Sequence, residues 1–421
     1  MNKTPPKTSG VDLIFGAPPS KSYTHRALIA AALASGKSTI FRPLDAEDTK
    51  LTASALRVLG VIVEEQGRRY IVSGCNGDIP NRDTTTLELE NSGTSLRLLT
   101  SLALLCRHPV ILTGSARMQE RPIGPLAGAL PALGGTVEFL KNPGFPPVRV
   151  SGKLLGGPVT IDGSMSSQFI SSILMAAPYA KADVEVIIPA PPASASYLDI
   201  TLDVMESFGA KVTREGYERF VVSHASRYSA RRYTVEGDYS SASYFFAIAA
   251  VCGGRVRVKN LTEHSVQGDR RFLDALAAMG CRVTYSKEFV TVERSGDLSG
   301  ITFDMSSSPD TVQTLCMVAA MAKSPTTITG ISHLKFKESD RINGTADRLR
   351  ALGGRVDVND DSLTLHPSPL HGGEIDPAND HRTAMSFAVL GLGTGGITIT
   401  NAACVNKSFP GFWESLKGVI P

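Results

Sequence analysis

Six times along the chain a short polar stretch, rich in serine or charge, opens directly into an apolar, alanine-rich run. The openings are Ser20-Lys21-Ser22, Asn91-Ser92-Gly93-Thr94-Ser95, Ser164-Met165-Ser166-Ser167-Gln168, Asp238-Tyr239-Ser240-Ser241, Ser306-Ser307-Ser308-Pro309-Asp310 and Asn379-Asp380-His381-Arg382. Successive openings are separated by roughly 70 residues, the scale of a repeated structural unit. Serine, asparagine and aspartate side chains accept bonds from the free N–H groups of a first helical turn, so each opening predicts a helix N-terminus. The runs that follow, 27–33, 96–105, 169–177, 244–251, 315–322 and 384–390, are apolar on nearly every face. A helix of that kind is a buried one.

Each run ends in a Gly or Pro break and a short β-branched strand: 38–40, 110–112, 184–188, 256–258, 326–329 and 397–400. Most units then show an amphipathic helix closed by glycine, at Gly60, Gly134, Gly209, Gly280 and Gly353, where a left-handed C-cap is expected. The pattern predicts an α/β protein of six related units, three to a domain. The expected domains are residues 18–236 and residues 237–421, the second including the strand within 1–17, although that strand (11–15) can pair with either. If the buried helices of a domain run parallel, their N-termini gather on one face and form an anion site.

Composition narrows the partners. The chain has 421 residues, of which 42% are hydrophobic and 20% charged, as in a globular protein. Lys and Arg number 43 against 40 Asp and Glu, too even a balance for nucleic acid or an anionic membrane as main partner. The six cysteines are scattered without metal-ligand spacing, which fits free thiols in a reducing compartment. The first ten residues lack the apolar core of a signal peptide, and no apolar run is long enough to span a bilayer. A soluble, cytoplasmic protein is expected.

Candidate chemistry lies at the openings. Lys21, Ser22 and Arg26 sit at the first; Asn91, Gly93, Thr94 and Arg97 at the second; Ser166, Ser167 and Gln168 at the third. Asp310 belongs to the fifth, His381 and Arg382 to the sixth. Two further charged stretches are 117–123 and 335–341, and Lys407 follows the last strand. Singly, each has an ordinary reading: solvated first-turn cations, plain capping, or a helix laced with i,i+3 charge pairs at 335–341. Their recurrence at equivalent ends argues for a site. The pair Gly36-Lys37-Ser38-Thr39 fails as a phosphate-binding P-loop. Ala31 stands where that loop needs glycine, and the order is helix then strand rather than strand then helix. Gly36 and Lys37 are expected in a turn after the buried helix.

These residues together resemble the 5-enolpyruvylshikimate-3-phosphate synthase family. The matching stretches begin with Ser20-Lys21-Ser22…Arg26-Ala27, Asn91-Ser92-Gly93-Thr94-Ser95…Arg97, Arg117-Met118…Glu120-Arg121-Pro122-Ile123 and Ser166-Ser167-Gln168-Phe169. They continue with Asp238 to Phe245, Pro309-Asp310, Lys337-Glu338-Ser339-Asp340-Arg341, Asp380-His381-Arg382 and Lys407-Ser408-Phe409-Pro410, in family order across nearly the whole chain. The resemblance implies a two-domain inside-out α/β barrel, each domain of three βαβαββ units with buried parallel helices, and an active site in the interdomain cleft. It implies transfer of the enolpyruvyl group of phosphoenolpyruvate to the 5-hydroxyl of shikimate 3-phosphate, with no metal or organic cofactor, by a monomer.

By the same resemblance, Lys21, Gly93, Arg121, Gln168, Arg341, Arg382 and Lys407 are expected to bind phosphoenolpyruvate. Shikimate 3-phosphate is assigned Lys21, Ser22, Arg26, Ser166, Ser167, Gln168, Ser194, Asp310, His333 and Lys337. Within that set Ser22 and Arg26 take the carboxylate, and Ser166, Ser167, Ser194 and Lys337 the phosphate. Arginine forks suit both kinds of anion. Asp310, Glu338 and Lys21 are the catalytic candidates, with Asp310 as base at the hydroxyl and Glu338 as acid at carbon; His381 is a candidate proton relay. The chain departs from the family pattern at Pro19, usually glycine, at Leu98, often proline, and at His333, commonly asparagine. It also lacks the usual Lys-Pro between Ser194 and Tyr197.

Three other readings compete. The related UDP-N-acetylglucosamine enolpyruvyl transferases carry a reactive cysteine in the loop corresponding to 114–122, where this chain has Ser115 and none. A nucleotide-dependent kinase is disfavoured by the failed P-loop. A non-catalytic polyanion binder has no use for Asp310 and Glu338 among its cations.

Overall fold

All six apolar runs are helices, and all six are enclosed by sheet. The computed structural model describes residues 1–419, so the last two residues of the expected second domain lie outside the described residues. The chain divides into two compact units, one of Pro19–Glu236 and one in which Met1–Pro18 joins the chain from Gly237 onward.

The unit of Pro19–Glu236 holds helices α1 (Lys21–Leu33), α2 (Glu47–Val58), α3 (Gly93–Leu102), α4 (Gly124–Ala129), α5 (Ser167–Ala176) and α6 (Ser196–Ser207). The other holds α7 (Tyr239–Cys252), α8 (Phe272–Ala278), α9 (Val312–Ala319), α10 (Arg341–Ala351), α11 (His381–Thr394) and α12 (Phe412–Lys417). The odd-numbered helices are the enclosed ones. Every residue of 27–33 on α1 is wholly buried, as is the whole of α7 within a few per cent. Each buried Leu, Ile, Val or Phe contributes about 1.5–3 kcal/mol, and the interspersed alanines let helix and sheet approach closely.

The sheets repeat one plan. A central strand pairs in parallel with one neighbour and antiparallel with the next, which pairs antiparallel with the fourth. In the second unit of the repeat these strands are Val110–Thr113, Thr85–Glu88, Val148–Gly152 and Gly135–Phe139. Five sheets follow this plan; the sixth keeps only the parallel pair Gly373–Ile375 and Ile397–Ile399 among the described residues. There the chain continues instead into a 3-10 turn (Ala402–Lys407) and α12. Two parallel partners come from far along the chain. Arg232–Thr234 completes the first sheet against residues 39–41. Val11–Gly16 pairs with Gly254–Lys259, so the first strand belongs to the later unit.

The buried helices run parallel within each unit, as their side-chain contacts show. Ser243, Thr314 and Ser386 lie at similar depths from the N-termini of α7, α9 and α11, and the Thr314 hydroxyl meets those of Ser243 and of Ser386, each at 3.3 Å. The Ser172 hydroxyl of α5 donates to Ser101 Oγ of α3 at 2.8 Å. These partners are 71–72 residues apart, so the repeat seen in the sequence returns as contacts between equivalent positions.

Five of the six buried helices have the side-chain caps that the openings predict: Ser20, Ser92, Ser166, Asp238 and Asp380. The fifth opening differs. Asp310 sits in a 3-10 turn (Pro309–Thr311) ahead of α9, which has no side-chain cap: Thr311 holds the cap position and its hydroxyl donates to the Ser308 carbonyl, while the Asp310 carboxylate meets Arg382. Two other expectations are corrected. Gly36 and Lys37 lie within the strand Ser35–Phe41, paired with Gly74 and Ser73, because the strand begins directly after the Ala34 cap of α1. Segment 335–341 is not one charged α-helix: Lys335 and Phe336 end a 3-10 turn (Ser332–Phe336), and α10 starts only at Arg341, where Asp340 caps it by accepting from Ile342 N and Asn343 N.

The glycines after the outer helices are left-handed as expected, with φ from +89° to +104° at Gly60, Gly134, Gly209, Gly280 and Gly353. At Gly209 an added Cβ would meet nothing closer than 3.8 Å, so the backbone angle alone decides the residue. Gly209→Ala is expected to lower stability by about 1 kcal/mol with an unchanged denaturant m-value in urea unfolding.

Candidate active site

In the unit of Pro19–Glu236 the expected residues collect at the N-termini of α1, α3 and α5. Lys21, the first residue of α1, pairs through Nζ with Asp48 Oδ2 at 3.1 Å, and both side chains are nearly buried. Arg26 lies one turn on and is fully buried. Its Nε donates to Thr201 Oγ1 at 2.7 Å, Nη1 to the Ser22 carbonyl at 3.1 Å, and Nη2 to Tyr197 O at 3.3 Å and Ser171 Oγ at 3.4 Å. All these acceptors are neutral. Burial pulls the guanidinium down to about 10, which still leaves it charged at neutral pH. Four of its five N–H groups are used, and a buried cation without a carboxylate partner is an incomplete arrangement that an anionic ligand would complete.

Gln168 ties α5 to α3. Its Nε2 donates to Thr94 Oγ1 at 3.0 Å, and its Oε1 accepts from Arg97 Nη1 at 2.8 Å. Arg97 also donates to Pro122 O at 3.2 Å and lies over the Phe169 ring at 5.1 Å. Ser166 is a cap, accepting from Gln168 N, and it also accepts from Arg97 Nη1; Ser167 is buried beside it. Arg121 donates through Nη1 to the carbonyl and the Oδ1 of Asn91, at 3.1 and 3.2 Å. A Cβ on Gly93 would lie 2.5–2.8 Å from the guanidinium, so only glycine lets Arg121 rest on the start of α3. Ser194 is buried at φ +56° just ahead of α6, its carbonyl accepting from Tyr197 N.

In the other unit the ends of α9, α10 and α11 meet in an ion cluster. Arg341, with 1% of its side chain exposed, donates to three carboxylates. Nε reaches Asp380 Oδ2 at 2.8 Å, Nη1 reaches Asp310 Oδ1 at 3.2 Å, and Nη2 reaches Glu338 Oε2 at 2.7 Å. Burial opposes its charge, but Asp380, Glu338 and Asp310 outweigh that and hold its pKa above the usual arginine value. Arg382 pairs with Asp310 Oδ2 and donates to the Asp310 carbonyl and to the Tyr244 hydroxyl. Lys407 Nζ lies 3.6 Å from Glu338 Oε1. Both oxygens of Asp310 and of Glu338 therefore face cations.

Asp380 was not singled out from the sequence, though it stands in a quoted opening. Its carboxylate is wholly buried, caps α11 through Arg382 N, accepts from Ser339 Oγ at 2.9 Å and takes two bonds from Arg341. Its position as a cap was legible; its partner 39 residues away was not. Asp48, the partner of Lys21, carried no sequence signal beyond a helix start. His381 is wholly buried, with Nδ1 3.9 Å from Asp380 Oδ1. His333 is buried, and burial first, then the charge of Lys337, pulls its imidazole down to about 3. It is a neutral hydrogen-bonding group, as asparagine would be. Among the described residues no group of three or more His, Cys, Asp or Glu is placed to hold a metal ion, and no helix is long and apolar enough to cross a membrane.

Two predictions follow from this electrostatics. Asp380→Asn leaves Arg341 short of a charge in a buried setting and is expected to destabilise by about 3 kcal/mol or more, read by urea denaturation. The folded pKa of His333 is depressed below its unfolded 6.5, so its contribution is complete above pH 6.5 and is lost as the pH falls toward 3. His333→Asn should therefore flatten the dependence of stability on pH between 6.5 and about 4, measured in denaturant titrations across that range.

A family model for EPSP synthase (3-phosphoshikimate 1-carboxyvinyltransferase) matches residues 8–416. A Methanoregula boonei protein described as 3-phosphoshikimate 1-carboxyvinyltransferase is 64% identical, with 100% of both chains covered. An Enterobacter protein of the same description is 40% identical over 96% of each chain. A solved EPSP synthase from Acinetobacter baumannii superposes with a TM-score of 0.83 at 28% identity, covering 99% of this chain and 97% of that one. With nearly all of its residues matched and its fold shared, the chain belongs to the EPSP synthase (3-phosphoshikimate 1-carboxyvinyltransferase) family.

Proposed function

We propose that the chain transfers the enolpyruvyl group of phosphoenolpyruvate to the 5-hydroxyl of shikimate 3-phosphate, a step of the shikimate pathway to aromatic amino acids. The reading includes a cytoplasmic, monomeric enzyme. The observation that carries the assignment of roles is the cluster in which Asp310 and Glu338 are held among Arg341, Arg382 and Lys407.

The chemistry needs both kinds of group. Phosphoenolpyruvate brings a phosphate and a carboxylate, which Arg341, Arg382 and Lys407 of this cluster, with Lys21, Arg121 and Gln168, are suited to bind. As the ligand takes these donors, Asp310 and Glu338 exchange cation contacts for substrate contacts. Asp310 removes the proton of the 5-hydroxyl as its oxygen bonds to C2 of phosphoenolpyruvate. Glu338, protonated from water once its cation contacts are given up, delivers that proton to C3, which becomes a methyl group, giving a tetrahedral adduct. In the second half Glu338 takes a proton back from the methyl, the C2–O bond to phosphate breaks, and phosphate leaves with the proton from Asp310. Lys21 stands beside the attacking hydroxyl as a charge that favours the developing alkoxide. Arg26 and Ser22 hold the shikimate carboxylate, and Ser166, Ser167, Ser194 and Lys337 its phosphate. His333 offers a neutral N–H to the same substrate, and His381 stands next to Arg382 for proton relay.

The test mixes the purified protein with shikimate 3-phosphate and phosphoenolpyruvate and follows phosphate release. Turnover is expected with this pair, and release only with UDP-N-acetylglucosamine in place of shikimate 3-phosphate would overturn the assignment. Glu338→Gln keeps the shape and loses the transferable proton, so kcat should fall by about 100-fold or more with a smaller change in either KM. Unaltered kcat removes Glu338 from proton transfer.

A further inference from the structure

Beneath the openings of α1, α2 and α3 runs a chain of buried side chains that the roles above leave unused. His25 Nδ1 lies 2.7 Å from Thr52 Oγ1, which lies 2.8 Å from Ser95 Oγ. Ser95 Oγ lies 2.7 Å from Ser92 Oγ and 3.3 Å from the carbonyl oxygen of Asp48. All four side chains are fully buried.

Counting protons orders the chain. It has four contacts, and its three hydroxyls supply only three donors. The fourth donor must be His25, with its proton on Nδ1. Then Nδ1–H donates to Thr52, Thr52 to Ser95, and Ser95 to the Asp48 carbonyl, while Ser92 donates to Ser95. Ser92 itself accepts from Ser95 N as the cap of α3. Every hydroxyl is then both donor and acceptor, the arrangement that a buried polar group requires. The opposite tautomer leaves one contact without a proton.

Each end of the chain supports a cation. Asp48, in the first turn of α2, holds Lys21 Nζ. Ser92 lies between Asn91, which accepts twice from Arg121, and Gly93, on which the guanidinium rests. Thr52 gives the shorter of two links between α2 and α3 at this level, the other being Ser95 to the Asp48 carbonyl. We propose that Thr52, oriented by the Nδ1–H of His25, is a positioning residue that sets Lys21 and Arg121 for phosphoenolpyruvate. The proposal rests on the assignment of these cations under the proposed function. Thr52 touches neither substrate; it acts through Asp48 and through the Asn91–Gly93 turn.

The test has a kinetic arm and a spectroscopic one. Thr52→Val keeps the shape and removes the hydroxyl. It should raise the KM for phosphoenolpyruvate by about three- to tenfold while that for shikimate 3-phosphate moves less than about twofold, and Thr52→Ser should restore both. An unchanged KM for phosphoenolpyruvate, or an equal rise in both, overturns the positioning role. In the wild-type protein labelled with 15N-histidine, the His25 signal, assigned by its absence from His25→Asn, should report the Nδ1–H tautomer; Nε2–H overturns the chain. If Thr52→Val does not fold, Ser95→Ala carries the same kinetic comparison. A wild-type protein inactive with both substrates contradicts the proposed reaction instead, and the tautomer still decides whether the chain exists.

Discussion

A helix enclosed on every side must satisfy the free amides of its first turn without relying on bulk water. Here that constraint holds six times, and much of the structure follows from it. Serine or aspartate caps five of the six N-termini, and these caps make the openings polar while the runs behind them stay apolar. The ends also carry aligned dipoles that favour anions. Cationic side chains brought to such ends by neighbouring elements, Arg121 at α3 and Arg341 at α11, make the same places suitable for phosphate and carboxylate.

The two units treat their buried arginines in opposite ways. Arg26 is surrounded by hydroxyls and carbonyls, and its charge is held without a counter-ion. Arg341 is surrounded by three carboxylates. The first arrangement leaves a charge for a ligand to complete, as expected of a group that holds a substrate carboxylate. The second keeps the cations and the carboxylates proposed for proton transfer in mutual contact, so that in the proposed reaction an anion exchanges partners within an existing network. Asp380 stands apart from that exchange. As a cap and as the partner of Arg341 it fixes where the guanidinium lies.

The repeat gives these clusters their form. Side chains near the starts of successive buried helices meet about one repeat apart, as Arg97 meets Gln168 and Asp310 meets Arg382. The sixth unit breaks the pattern: among the described residues its sheet has two strands, and the chain turns instead into the 3-10 segment that ends at Lys407. That departure carries a lysine to the cluster.

The sequence by itself determined what local chemistry decides. Openings, buried runs, central strands and left-handed glycines were all legible, because a cap, a face and a positive φ are properties of a few consecutive residues. The family motifs named most of the side chains that gather at the ends. Only the tertiary structure decided which partners meet across long separations. Val11–Gly16 fits either unit as a sequence, and pairing with Gly254–Lys259 settles it. Segment 335–341 reads as a charged helix face until Asp340 is seen to cap α10 and Arg341 to turn inward. Gly36-Lys37 reads as a turn until the strand pairing is known. The carboxylates of Asp48 and Asp380 and the hydroxyls of Thr52 and Thr201 gain their roles only from contacts with other helices or loops. Nothing in the order of residues encodes such a contact, because it depends on how enclosed helices are packed side by side.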